Sequence, residues 1–151
     1  MTVADNTMAR IGRGIELSQR GDRAAARGLF AEIWDDIGGE AGDAFHRCAL
    51  AHSMADVQDE AHEELMWDLR ALAAADTITD DRAADAGVAA PVAAFYPSLH
   101  LNLGECFRKV GDLERAREHL RRGQRALPSL ADDGYGRLVR SGLDRLAERL
   151  A

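Results

Sequence analysis

The sequence predicts an all-α protein of stacked helical hairpins, and three observations carry that prediction. Ala, Leu, Arg, Glu and Asp dominate the 151 residues, while aromatic residues make up 5% and β-branched residues are scarce. Ala, Leu, Arg and Glu lose little side-chain freedom in a helix, and no long Val/Ile/Thr/Tyr run competes as a strand. Apolar residues also return at steps of three and four, which gives a helix one buried face. Finally, the pair Gly-Asp recurs between helical segments, at Gly21-Asp22 and Gly111-Asp112.

The first helical segment runs from about Asp5 to Arg20 and ends at Gly21-Asp22. Glycine can take the left-handed conformation that closes one helix, and aspartate can accept from the free N–H groups of the next. The partner helix carries the stripe Ala26, Phe30, Ile33 and Ile37. A second pair spans Ala41–Val57 and the stripe Ala61, Leu65, Leu69 and Leu72; its turn is Asp56-Val57-Gln58-Asp59-Glu60 instead of Gly-Asp. A longer connection, 77–91, follows, with an extra helical turn expected over Asp80–Ala84. The third pair spans Val92–Val110 and the stripe Ala116, Leu120, Gly123 and Leu127, joined by Gly111-Asp112. The tail from Ala131 reads as one amphipathic helix. Val139, Leu143, Leu146 and Leu150 face inward, and Arg140, Ser141, Asp144, Arg145, Glu148 and Arg149 face out. Matching stripes separated by polar breaks are the mark of stacked repeats, and a polar-backed last helix is what such a stack needs as a cap.

Composition narrows the function. A hydrophobic share of 46% is enough for a packed core, and a net charge of −7 argues against a nucleic-acid backbone as ligand, which needs a positive field. Two cysteines, Cys48 and Cys106, make neither a CxxC pair nor a disulfide framework, as expected in a reducing cytoplasm. Met1–Arg10 has no apolar run of the kind that opens a signal peptide. The longest uncharged stretch, Ala86–Gly104, contains Pro91, Pro97, His100 and Asn102, which a membrane span tolerates poorly. The expectation is a cytoplasmic protein that engages neither membrane nor nucleic acid.

Tyr96–Pro128 resembles a tetratricopeptide repeat. Leu103-Gly104, Phe107, Ala116, Leu120, Gly123 and Pro128 occupy that family's positions, with His100 where a Trp is usual. The similarity extends to 7–38 through Gly14, Leu17, Ala26, Phe30 and Ile33, with Arg10 and Arg13 at positions normally apolar, and to 42–76 through Phe45, Cys48, Ala49, Leu65, Leu69 and Leu72. The resemblance implies a right-handed α-solenoid of three hairpins, 7–38, 42–76 and 96–128, with a capping helix over 131–150, as a single domain. It further implies a concave groove, lined by the first helix of each pair, that holds a protein or peptide segment without catalysis or cofactor. Carried over position by position, the groove residues of the second pair include His46, Arg47, Leu50 and Met54. Those of the third include Asn102, Glu105, Arg108 and Lys109, with Met8, Ile11, Gly12 and Ile15 in the first. Arg47, Asn102, Arg108 and Lys109 resemble a carboxylate clamp, although Glu105 opposes an anion.

Other constellations point less firmly to chemistry. Cys48 and His52 share one helical face with Asp56, and thiolate, imidazole and carboxylate all ligate zinc; a metal-binding sensor or enzyme is therefore an alternative, with His62 as a fourth donor. Packing of a small thiol and an imidazole is the simpler reading. His100 and Cys106 fall on different sides of one helix, and no Gly-rich phosphate loop occurs. Glu63, Glu64 and Asp68 read as a solvated face, as do Arg115, Arg117, Arg121, Arg122 and Arg125 interleaved with Glu114 and Glu118. Trp34 and Trp67 lie beside the apolar stripes, as packing residues or, if exposed, as partner anchors. A self-associating structural subunit, forming a homodimer, is the other alternative.

Overall fold

The computed structural model describes residues 3–88 and 90–151, with side chains from residue 6 onward. The expectations for the start of the chain and for the end of the 77–91 connection therefore fall partly outside the described residues. Among the described residues there is no strand, and eight α-helices account for most of the chain. None is long and apolar enough to cross a membrane. The helices divide between two compact units, Met1–Ile78 and Thr79–Ala151.

The first unit contains α1 (Val3–Gln19), α2 (Arg23–Asp36), α3 (Ala44–Asp56) and α4 (Ala61–Ala75). Its core joins Ile11 of α1, Ala26, Phe30 and Ile33 of α2, and Leu50, Met54 and Val57 of α3 and its end. Gly14 permits the close approach of α1 and α2, since a Cβ there would collide with the Phe30 ring. The α1–α2 turn follows the sequence pattern. Gly21 has φ +87°, the Gly21 and Asp22 N–H groups donate to Ser18 and Leu17 carbonyls, and the Asp22 carboxylate accepts from the Ala25 N–H.

The second unit contains α5 (Asp80–Asp85), α6 (Tyr96–Lys109), α7 (Leu113–Ala126) and α8 (Gly134–Arg149). The extra turn expected at Asp80 is α5, capped by the Thr79 hydroxyl, which accepts from the Arg82 N–H. The helix expected from Val92 begins at Tyr96 instead. A 3₁₀ turn occupies Val92–Phe95, and Pro97 falls in the first turn of α6, where its missing N–H costs nothing. Asp133 caps α8 by accepting from the Gly136 N–H at 2.8 Å. Val139, Leu143 and Leu146 of α8 are buried against α6 and α7.

One local plan is built twice. Gly111 has φ +88°, the Gly111 and Asp112 N–H groups donate to Arg108 and Phe107 carbonyls, and Asp112 accepts from the Arg115 N–H. In the first unit the Arg27 guanidinium donates to the carbonyl of Val57, the residue ending α3, at 2.7 and 3.1 Å. In the second, Arg117 donates to the carbonyl of Leu150, the residue ending α8, at 3.2 and 3.3 Å. Gly14, Gly21, Asp22, Ala26, Arg27 and Phe30 thus match Gly104, Gly111, Asp112, Ala116, Arg117 and Leu120 at one constant offset. Helix α8 stands to α6–α7 as α3 stands to α1–α2.

The turn that lacks Gly-Asp is closed from outside. Arg23 donates to the carbonyls of Asp56 and Gln58, and Arg23 and Arg27 both pair with Asp59. Those hydrogen bonds hold the Asp59 carboxyl below the usual carboxylate range.

Candidate binding surfaces

Helix α3 presents little of its expected lining to a ligand. Leu50 and Met54, 0% and 3% exposed, sit in the core of the first unit with Phe30 and Ile33. His46 is buried as well; its backbone N–H donates to the Asp43 carboxylate at 3.0 Å and its ring Nδ1 lies 3.7 Å from the same group. The reason is periodicity. His46, Leu50 and Met54 are four apart and share one face, and Phe45, Cys48, Ala51 and Ala55 are buried on the opposite face, in the helix that packs most extensively on α4. A helix covered on both sides leaves only partial exposure, at residues such as Arg47, Ala49 and His52.

Arg47 is mostly committed to its own loop. Its Nε–H donates to the Gly42 carbonyl at 2.8 Å, and its guanidinium lies 3.9 Å from Glu40. Glu40 also pairs with Arg70, whose guanidinium lies 4.3 Å from the centre of the Trp67 ring. Trp67 meets Trp34 edge-on with ring centres 5.1 Å apart. The two tryptophans therefore pack α2 against α4.

Helix α6 keeps its polar row. Asn102, Glu105 and Arg108 are half-buried and Lys109 is exposed. Glu105 bridges two arginines at 3.0 Å each, Arg108 on its own helix and Arg149 on α8. Leu101 beside them fits against Gly142, where a Cβ would come within 2.5 Å. This charged cluster thus orients α8 while leaving Asn102 and Lys109 along one side of α6.

Sequence reasoning missed a buried imidazole pair in the second unit. The Nδ1 atoms of His100 on α6 and His119 on α7 are 3.0 Å apart, so one ring donates to the other. Tyr96, His100, His119 and Phe107 form a column of rings with successive centres 6.0, 5.2 and 5.3 Å apart. Burial and the nearby Arg122 charge lower the His119 pKa, against a smaller opposing pull from Glu118. The available signal was His100 itself, the polar residue at a position where the repeat pattern has a large apolar one. A cavity of about 520 Å³ opens beside the column, lined by Tyr96, His100, Arg122, Arg125 and Pro128 among others.

Cys48 and His52 gain no metal-ligand geometry, since neither belongs to a cluster of three donor side chains among the described residues. Burial pushes the Cys48 thiol up to about 11 despite Arg47 nearby, so it stays protonated and unreactive at neutral pH. No protein-family model matches the chain, and no curated protein or solved structure shows significant similarity to it.

Proposed function

We propose that the chain is a tetratricopeptide-type, right-handed α-solenoid that docks a protein or peptide segment in the cytoplasm and catalyses no reaction. One observation carries this reading: a helical hairpin plus the helix after it is built twice on one plan, down to the Gly-Asp turn and the arginine on the next helix's last carbonyl. Repeated supersecondary units use extended side surfaces, not enclosed cavities, for recognition. The ligand is assigned to the polar side of α6. There the Asn102 amide suits a ligand backbone, and Arg108 and Lys109 suit its carboxylates. On α3 only Arg47 keeps a part in this reading, because His46, Leu50 and Met54 are buried.

Affinity capture from a lysate of the source cells tests this by comparing wild type with an Asn102→Ala/Lys109→Glu variant. A partner retained by the wild type and lost by the variant supports the assignment. The same partner retained by both moves the site off α6, and capture of no partner rejects the adaptor reading.

A second reading, self-association, is favoured by Tyr135 and Leu138 on α8, which are 53% and 64% exposed. Sedimentation at rising concentration separates it from the first, because only self-association gives a dimer without ligand. Leu138→Glu should then restore the monomer.

A further inference from the structure

We propose that the cavity beside the imidazole column binds a small organic anion: a carboxylate or phosphate carried on an apolar body. Charge comes first. The protein is net negative, at −7, yet no Asp or Glu lines this cavity and two arginines do. Arg122 is held at 2.7 Å by Glu118, a turn back on α7. Arg125, exposed at the cavity, makes no ion pair or hydrogen bond among the described residues. An uncompensated guanidinium at a concave surface selects for carboxylate or phosphate, which it can grip through two parallel N–H donors.

Size and lining then favour an occupant larger than a bare ion. The hollow is shallow and open to solvent, and its volume of about 520 Å³ exceeds that of one inorganic anion. Tyr96, Ala93, Ala126 and Pro128 offer apolar surface to the body of a ligand, and Ser129 adds one hydroxyl to the lining. His100 completes the wall, and its Nδ1 is fixed by His119 behind it, so the ring is held in one orientation before any ligand arrives. Phe107, stacked on His119 at 10°, buttresses the pair from the far side.

The test uses the full chain, isotopically labelled, titrated with benzoate, phenyl phosphate, inorganic phosphate and benzyl alcohol and followed by NMR. Benzoate or phenyl phosphate should saturate with a dissociation constant on the order of 1 mM and shift Tyr96, His100 and Arg125 signals. The tighter of the two identifies the head group. Arg125→Gln, an exposed substitution whose fold is checked by an unchanged spectrum elsewhere, should weaken binding about tenfold. The proposal is overturned if neither ring-bearing anion saturates, or if Arg125→Gln binds them unchanged. It also fails if benzyl alcohol binds as tightly as benzoate, which removes the role of charge. Inorganic phosphate matching phenyl phosphate would contradict the role assigned to the apolar wall.

Discussion

His119 links the stability of the second unit to mild acid. Its pKa is lowered from 6.5 by burial and by Arg122, so the unfolded chain binds a proton that the folded chain resists. A histidine depressed in this way contributes stability that is complete above about 6.5 and is lost as pH falls toward its folded value. Thermal unfolding should therefore show a falling midpoint between pH 7.5 and 5. His119→Phe, which keeps the ring packing, should flatten that slope. Arg27 and Arg117 act at the same scale, each holding the last carbonyl of a helix in the next element. Because both guanidiniums are partly exposed, Arg27→Ala and Arg117→Ala should each cost only about 1 kcal/mol, read from denaturant midpoints. A cost confined to one of the two would break the equivalence drawn between the two units.

At the scale of the element, the Gly-Asp turns are the part most readily read from sequence. Glycine at φ +87° or +88° followed by a capping aspartate is a local solution, and local solutions are written in adjacent letters. Gly21→Ala and Gly111→Ala should each destabilise by about 1 kcal/mol in denaturant unfolding, since a Cβ is strained there although nothing crowds it. Leu143, buried on α8 against Gly123, belongs to the same scale; Leu143→Ala should cost about 2–5 kcal/mol. The middle turn was not legible, because Arg23 and Arg27 close it from a helix 30 to 33 positions earlier. The same limit governs the expected groove residues. The four-residue step that marks His46, Leu50 and Met54 as one face does not say whether that face meets ligand or core. For α3 the answer lay in the second buried face opposite, Phe45 through Ala55. The imidazole pair was hidden for a related reason. Its members sit 19 positions apart, and only the return of α7 along α6 brings them together.

At the scale of the whole molecule, α3 and α8 hold equivalent places in their units but differ in what covers them. Counting back from Val57 and Leu150, the α3 residues Phe45, Cys48, Ala51 and Ala55 correspond to Leu138, Ser141, Asp144 and Glu148 of α8. The first four are buried, whereas the second four are exposed. Three of these positions are polar in α8 where α3 has a small apolar residue or a thiol, so α8 turns to solvent the side that α3 buries. Phe45→Ala should thus cost about 3–5 kcal/mol in denaturant unfolding, while Leu138→Ala should cost less than about 0.5 kcal/mol. The amphipathic pattern of α8 was legible in the sequence. The division into two compact units was not, because stripes of identical period run through both.

Docking of a protein or peptide segment on the polar side of α6, as proposed, can be read by amide chemical-shift mapping. Labelled protein would be titrated with the segment obtained by capture. Saturable shifts should concentrate at Asn102, Glu105, Arg108 and Lys109, with α7 between Arg115 and Arg125 little changed. Shifts confined to α7, or to Tyr135 and Leu138 on α8, would contradict docking on α6 and place recognition on the opposite or the capping face.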